Sequence, residues 1–586
     1  MIHLLKESIK EWPEKGRTGL CAVIASALLV GLLSACGGGG SGPAPPVLNE
    51  TTCTQLATVP IPATSIGMPT TGGAVTATKW VAASGTGANA LPDYCLVSGK
   101  IMPYDPAAYN TEFKVALPAS ASWNKKVLML GGGGFDGSIP NVLGRTNLAP
   151  STVLTPLGRG YAVFGSDGGH QNATLPNPAH FMLNEEAYRN WAGDALKKTR
   201  DAAIILVKAA YGSAPSKSYF VGGSYGGHEA LAVAARWPAD WDGVVSLYPA
   251  QPVTASLLGH VNASKALAAP GAFSNAAKRT VLRKAALAAC DSLDGVNDGV
   301  IGNVRGCDAI FNPSTALLDG VPIRCPGGAD TGDTCLSDAQ ITALNIMNSP
   351  LNFNFPLASG QTSFPGFPVF TTDLGITSDN PLEVYVTWLN SGAIQPAFPV
   401  TPGVSGMWYG TYNADTWLRY AVTGDLSFNY LTFDPANPGA FALRLSELSA
   451  LDAQNTNMTG FQAKGGKVLL LHGLEDIIIP ARSTTELYYQ NLQAIMGSDK
   501  VDTFLRYYQV PGMGHYYGTT FFTSWDELVV IENWVENGVD PKSNQIITDT
   551  VGVPGRTRPL CTYPSWPKYK GSGDVNSAAS FTCSRL

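Results

Sequence analysis

Charge is scarce in this 586-residue chain: 14% of residues are Asp, Glu, Lys or Arg, against 45% hydrophobic. That balance argues against extensive disorder and for a large buried core. Basic excess is also missing. A formal net charge of −6 leaves no positive field for nucleic acid, so a polyanionic partner is disfavoured. No Cys-x-x-Cys pair or Cys/His cluster suggests zinc. Four consecutive glycines, Gly131 to Gly134, follow a strand-like run, but no Gly-Lys-Ser/Thr comes after them, which excludes a phosphate loop. The apolar run Leu20 to Leu33 is short for a membrane span.

That run does have the size of a signal-peptide core, and Lys6, Lys10, Lys15 and Arg17 precede it. It ends Leu33-Ser34-Ala35-Cys36, which resembles a bacterial lipobox. Residues 1–36 are therefore expected to be a lipoprotein-type signal with Cys36 lipidated, and residues 37–50 a flexible Gly/Pro-rich tether. An ordinary secretory signal is the alternative. Either reading makes the protein exported, as an outer-membrane or periplasmic lipoprotein or as a secreted protein, with membrane attachment only through an N-terminal lipid. Cysteine usage agrees. Beyond Cys21 and Cys36 eight remain, an even number that falls into sequence-local couples: Cys53 with Cys95, Cys290 with Cys307, Cys325 with Cys335, and Cys561 with Cys583.

The length exceeds one ordinary domain. Short β-like segments run from about Thr78 to Pro118, followed by buried strands at 126–130 and 160–166, a long helix from Asn184 to Ala210, and a strand at 219–221. Strand, helix, strand with glycine turns predicts an α/β fold, a mostly parallel sheet flanked by helices. After Tyr248 the pattern weakens and Pro, Asn and aromatic residues accumulate, until strands return at 467–472 and 503–510 and a closing helix at 525–536. The expected organisation is a first core segment at 51–250, a large inserted lid domain at 251–460, and a second core segment at 461–586.

Gly222-Gly223-Ser224-Tyr225-Gly226 lies between a predicted strand and a predicted helix. This is the context of a nucleophile elbow, whose flanking glycines let two backbones approach where a Cβ would not fit. Ser224 is the candidate nucleophile. Asp476 follows a late strand in His472-Gly-Leu-Glu-Asp476, and His515 follows the last strand in Pro511-Gly-Met-Gly-His515. Nucleophile, acid and base in that order match the α/β-hydrolase arrangement, with His515 as base and Asp476 orienting it. Glu475 is the rival acid. The N–H of Tyr225 and one from the 131–134 loop, Gly133 first and Gly132 next, would form the oxyanion hole. His170, which precedes the nucleophile, reads as a structural hydrogen-bonding residue.

A second constellation is Asp291-Ser-Leu-Asp-Gly-Val-Asn-Asp-Gly-Val300, bracketed by Cys290 and Cys307. It lacks the EF-hand spacing and its closing Glu. Closely spaced carboxylates with glycine turns suit a hard, oxygen-ligated cation, with Asp291, Asp294 and Asp298 and the carbonyls of Val296 and Val300 as expected ligands of a structural Ca2+.

With these residues assembled, the chain resembles the tannase/feruloyl esterase family of α/β-hydrolases over roughly residues 50 to 586. The resemblance rests on Gly-Gly-Ser224-Tyr-Gly-Gly, on Cys290-Asp-Ser-Leu-Asp-Gly-Val-Asn-Asp-Gly-Val-Ile301, on the Asp476 and His515 motifs, and on Arg556-Thr-Arg-Pro-Leu-Cys561 with Tyr569-Lys-Gly-Ser-Gly-Asp574. It implies hydrolysis of small aromatic acid esters, a lid over the site and calcium in that lid. Members commonly bond a cysteine just before the nucleophile to one just after the histidine. Gly223 and Tyr516 stand at those positions here, so a more mobile His515 loop, held by packing of Tyr516 and Tyr517, is expected. Trp388, Trp408, Tyr409, Trp417 and Tyr420 offer aromatic surface in the lid, with Trp408, Tyr409 and Arg419 the pocket candidates. A terephthalate monoester would want a lid arginine, and the Trp-Leu-Arg-Tyr setting of Arg419 looks structural. Feruloyl or galloyl esters therefore rank first and mono(2-hydroxyethyl) terephthalate second. A peptidase on the same fold and a catalytically silent surface binding protein are the rivals.

Overall fold

The structure, a computed structural model, describes residues 46–375, 381–452, 457–516 and 518–585. The signal sequence, Cys36, most of the tether and Tyr517 lie outside the described residues. Residues 45–586 form one compact unit, and no helix among the described residues is long and apolar enough to cross a membrane.

The organising element is a nine-stranded sheet. Its strands are β1 (Gly72–Val81), β2 (Tyr94–Met102), β3 (Thr111–Pro118), β4 (Lys126–Leu130), β5 (Ala162–Ser166), β6 (Lys217–Gly223), β7 (Gly243–Leu247), β8 (Lys467–Gly473) and β9 (Leu505–Val510), in spatial order 1-2-3-5-4-6-7-8-9. β1, β2, β3 and β5 pair antiparallel; from β5 through β4, β6, β7 and β8 to β9 every pairing is parallel. Parallel strands are covered on both faces, and their side chains alternate accordingly. Val468 and Leu470 join the core beneath α1 (Ala195–Tyr211) and α2 (Tyr225–Arg236), while Leu469 and Leu471 join the core beneath α6 (Glu527–Asn537).

Between β7 and β8 the described residues build no strand of that sheet. They form helices, among them α3 (Val253–Ala268), α4 (Ala276–Cys290) and α5 (Tyr409–Trp417), around a separate apolar core. That core also takes in Trp191, Tyr225 and the Ile477–Ile479 turn, so the insertion packs directly onto the loops at the carboxyl edge of the sheet. The four disulfides join Cys53 to Cys95, Cys290 to Cys307, Cys325 to Cys335 and Cys561 to Cys583, the couples that sequence spacing suggested.

Two expectations need correction. The helix foreseen from Asn184 to Ala210 is broken: a short helix at Glu185–Arg189 passes through a π-turn at Asn190–Asp194 before α1 begins. The break lies at Gly193, whose φ of 124° is open only to glycine, and where a Cβ would press on Arg236. Nor does a helix close the fold. After α6 the chain adds strands at Gln545–Asp549 and Thr557–Leu560, and a further hairpin tied by the last disulfide.

Candidate active site

Ser224 stands between β6 and α2 with φ 60° and ψ −124°, a conformation that side chains seldom adopt. The glycines around it explain how the turn is reached. A Cβ on Gly222 would overlap the Gly226 backbone, and a Cβ on Gly226 would come within 2.7 Å of the Gly132 carbonyl. The elbow is thus packed against the 131–134 loop, backbone to backbone. Tyr225 is fixed from its side chain. Its ring stacks on Trp191 at 4.3 Å and 5°, its hydroxyl donates to the Trp191 carbonyl at 2.8 Å, and His228 also stacks on it at 4.9 Å. The π-turn that sequence periodicity did not foresee is what presents Trp191 for this contact.

The fold brings the three motif residues together. His515 Nε2 lies 2.9 Å from Ser224 Oγ, and His515 Nδ1 lies 2.7 Å from Asp476 Oδ2. A carboxylate only accepts, so Nδ1 carries the proton and Nε2 is left to accept from the Ser224 hydroxyl. Asp476 is fully buried. Burial alone would raise its pKa, but the nearby charge of His515 and hydrogen bonds from His472 and His515 outweigh it and hold the carboxyl below its ordinary value. Its other oxygen accepts the Ile479 N–H at 2.8 Å. Glu475 is committed elsewhere, to Arg283 at 2.7 Å and to Thr520.

Gly132 and Gly133 separate in role. The Gly132 N–H donates to Glu229 Oε2 at 2.9 Å. Both line the cleft beside Ser224, so with the Gly132 amide spent on Glu229, Gly133 is the candidate of the two that remains. His170 is buried, stacked on Phe181 at 3.8 Å, with burial lowering its pKa to about 4, and it lines no part of the cleft.

Two lobes open from Ser224 and His515, and Tyr409 stands in the wall of both. The apolar lobe, with a cavity volume of about 70 Å³, lies between Phe135, Trp191, Leu257, Ile478 and Ile479. The other, of about 260 Å³, runs past Asn147, Tyr248, Tyr385 and Trp388. Neither lobe is lined by Lys, Arg, Asp or Glu among the described residues. Of the pocket candidates, only Tyr409 reaches the cleft. Trp408 is fully buried, its indole N–H donating to the Leu389 carbonyl, and Arg419 is paired with Asp415 at 2.9 Å and with the Leu426 carbonyl. Trp408 belongs to the insertion's own core, and Arg419 is spent on contacts within the insertion. Sequence reasoning missed Trp191, Tyr248 and Tyr385, which lie far apart in the chain and carry no motif.

In the aspartate loop, Asp291 accepts from the N–H groups of Asp298 and Gly299, Asp294 from that of Val296, and Asp298 is paired with Arg558. Gly302 leaves room for the Asp294 carboxylate, since a Cβ there would overlap it. The donor set is oxygen throughout, the chemistry that suits calcium. Among the described residues, however, no three His, Cys, Asp or Glu side chains converge as a metal centre.

Comparison with known proteins adds the following. The family model for tannase and feruloyl esterase matches residues 95–584. An uncharacterized esterase of Agrobacterium fabrum is 37% identical over 538 residues, covering 91% of this chain and 92% of its own. A mono(2-hydroxyethyl) terephthalate hydrolase of Piscinibacter sakaiensis is 31% identical over 541 residues, covering 85% of each. Among solved structures, feruloyl esterase B from Aspergillus oryzae superposes with a TM-score of 0.71 at 21% identity, covering 91% of this chain and 100% of its own.

Proposed function

The chain belongs to the tannase and feruloyl esterase family, and from that premise we propose that Ser224, His515 and Asp476 are a catalytic triad hydrolysing esters of uncharged aromatic acids. The observation that carries this is the unbroken chain of contacts from Ser224 Oγ through His515 to buried Asp476, set on a strained elbow. Ser224 Oγ attacks the ester carbonyl while His515 Nε2 takes its proton. The tetrahedral oxyanion is held by the N–H groups of Tyr225 and Gly133, each donor worth about 3 kcal/mol in the transition state. Collapse breaks the bond to the alcohol, which leaves with the proton from His515. Water, deprotonated by His515, then releases the acid from Ser224 and restores the hydroxyl.

The substrate class follows from the walls. An aryl acid finds apolar and aromatic surface in the apolar lobe, while a free carboxylate finds no Lys or Arg there among the described residues and Arg419 is spent on Asp415. This ranks feruloyl- or galloyl-type esters above terephthalate monoesters, although one relative is named for the latter.

Export and calcium belong to the same reading. Four disulfides fit an oxidising compartment, with Cys36 as the lipid anchor. A structural Ca2+ in the 291–300 loop would neutralise Asp291, Asp294 and Asp298, with the Val296 and Val300 carbonyls completing the shell.

The test is a panel of methyl ferulate, methyl gallate, mono(2-hydroxyethyl) terephthalate and a short aliphatic ester, with wild type and Ser224→Ala. Serine-dependent turnover led by a neutral aromatic ester is expected. Preference for the terephthalate monoester would overturn the substrate assignment, and cleavage of aminoacyl amides instead of esters would move the chemistry to peptidase.

A further inference from the structure

Glu229 is a buried carboxyl that the triad does not use. It lies on α2 one helical turn after Gly226 and is 2% exposed. The helix begins at the nucleophile and reaches the 131–134 loop at two points. At the first, backbone meets backbone: a Cβ on Gly226 would come within 2.7 Å of the Gly132 carbonyl, and a Cβ on Gly131 within 2.7 Å of the Gly226 Cα. At the second, Glu229 Oε2 accepts the Gly132 N–H at 2.9 Å. Upstream, the loop is anchored by the Gly131 N–H, which donates to the Val221 carbonyl at 2.9 Å, and downstream the Asp136 N–H donates to the Gly133 carbonyl at 2.9 Å.

The two contacts from α2 fix the peptide that carries the Gly133 N–H. That amide shares a plane with the Gly132 carbonyl, and in a trans peptide the two point in opposite directions. The Gly132 carbonyl is held against Gly226, and the preceding peptide plane is held by Glu229, so both backbone rotations of Gly132 are set from the helix. A glycine offers no Cβ to restrict those rotations. Without an acceptor for its N–H, Gly132 can turn and carry the Gly133 N–H with it. The loop is packed up to that point and open beyond it: a Cβ on Gly132 would come within 2.8 Å of the Asp136 carboxyl, whereas one on Gly133, in the wall of the cleft, would meet nothing within 4 Å.

We propose that Glu229 is a positioning residue for ester hydrolysis: by holding the Gly132 amide it keeps the Gly133 N–H, the oxyanion donor, in register with Ser224. The proposal rests on the esterase reading of this cleft and goes beyond it, since Glu229 lines neither lobe. What Glu229 supplies is an acceptor at a set distance and not a charge, so an amide of the same length can replace it.

The test is hydrolysis of 4-nitrophenyl acetate, an activated ester that asks little of the substrate pocket, by wild type, Glu229→Gln, Glu229→Asp and Glu229→Leu. Rates are taken per active serine, counted with a fluorophosphonate, so that a loss of folded enzyme cancels. Glu229→Gln should keep kcat near the wild-type value. Glu229→Leu should lower kcat about 100-fold with KM little changed, the signature of a lost oxyanion donor. Glu229→Asp keeps the charge but is a methylene too short, and should fall with Glu229→Leu. Affinity for an aryl trifluoromethyl ketone, whose adduct with Ser224 carries an oxyanion, should drop by the same factor as kcat/KM. If Glu229→Leu does not fold, the contrast between Gln and Asp decides. A kcat per site that Glu229→Leu or Glu229→Asp leaves unchanged, a Glu229→Gln as impaired as Glu229→Asp, or a ketone affinity that does not follow kcat/KM overturns the positioning role and leaves the esterase reading intact. A wild type that neither hydrolyses the ester nor binds the ketone overturns both.

Discussion

The ring of Tyr248 stands edge-on to the imidazole of His515, with centroids 5.2 Å apart and planes inclined by 73°. The contact depends on a glycine. A Cβ on Gly223, the residue before the nucleophile, would fall inside contact distance of the Tyr248 ring and hydroxyl. Tyr516, the residue after His515, also lies against Tyr248, and it packs on Phe522. Gly223 and Tyr516 are the two positions at which the family commonly carries bonded cysteines. In this chain a buried tyrosine occupies the space between them, and aromatic packing replaces the covalent clamp.

Gly223→Ala should therefore disturb both stability and catalysis. Tyr248 is fully buried, so overpacking is expected to cost about 1–3 kcal/mol and kcat/KM to fall about tenfold or more as His515 shifts. Thermal melting and ester hydrolysis measure the two effects. Wild-type values for both would show that Tyr248 does not position the histidine.

The two adjacent carboxylates should separate cleanly. Asp476→Asn removes the charge that orients and stabilises the imidazolium, and kcat is expected to fall by about 10³-fold or more. Glu475→Gln weakens the buried contact to Arg283 and is expected to cost about 1–3 kcal/mol of stability with kcat nearly retained. Equal activity in Asp476→Asn and wild type would remove Asp476 from the triad.

Beside the 131–134 loop, Asp136 and Glu229 lie fully buried and interact. Desolvation, followed by the charge of Glu229, pushes Asp136 well above the carboxylate range, and desolvation pushes Glu229 up to about 7. The native state thus keeps protons that the unfolded chain loses above about pH 4. Stability from this pair is fully present at acid pH and declines as pH rises through about 7. The melting temperature should be higher near pH 5.5 than near pH 8.5, and Glu229→Gln should flatten that slope. An unchanged slope in the variant would mean that the pair does not hold the proton.

Purified protein should carry about one equivalent of calcium by elemental analysis. Chelation should lower its melting temperature, and Asp294→Asn should abolish both the metal and the effect of the chelator. Because a disulfide and the Arg558 contact also hold the loop, the folded state should survive chelation. Metal-free protein whose melting does not respond to calcium would contradict the assignment.

Legibility in the sequence followed how local each signal is. The elbow, the two late motifs and the four disulfides were readable because strand, turn and partner lie within a few residues or at telling spacings. The insertion was legible as a change of character but not in its contacts. Trp408 looks like a pocket residue by composition, and only packing shows the indole buried, whereas the Trp-Leu-Arg-Tyr setting of Arg419 already looks structural and its guanidinium is on Asp415. The break at Gly193 was hidden because the residues around it keep helical periodicity. Tyr248 could not be read at all: what it does depends on a space left by Gly223.

The most direct test of the central claim is intact-mass analysis after reaction with a fluorophosphonate. Wild type should gain a single adduct, mapped by peptide sequencing to Ser224, with Ser224→Ala unlabelled and His515→Ala labelled far more slowly. Labelling that persists in Ser224→Ala, or none in folded wild type, would contradict an activated serine at this elbow.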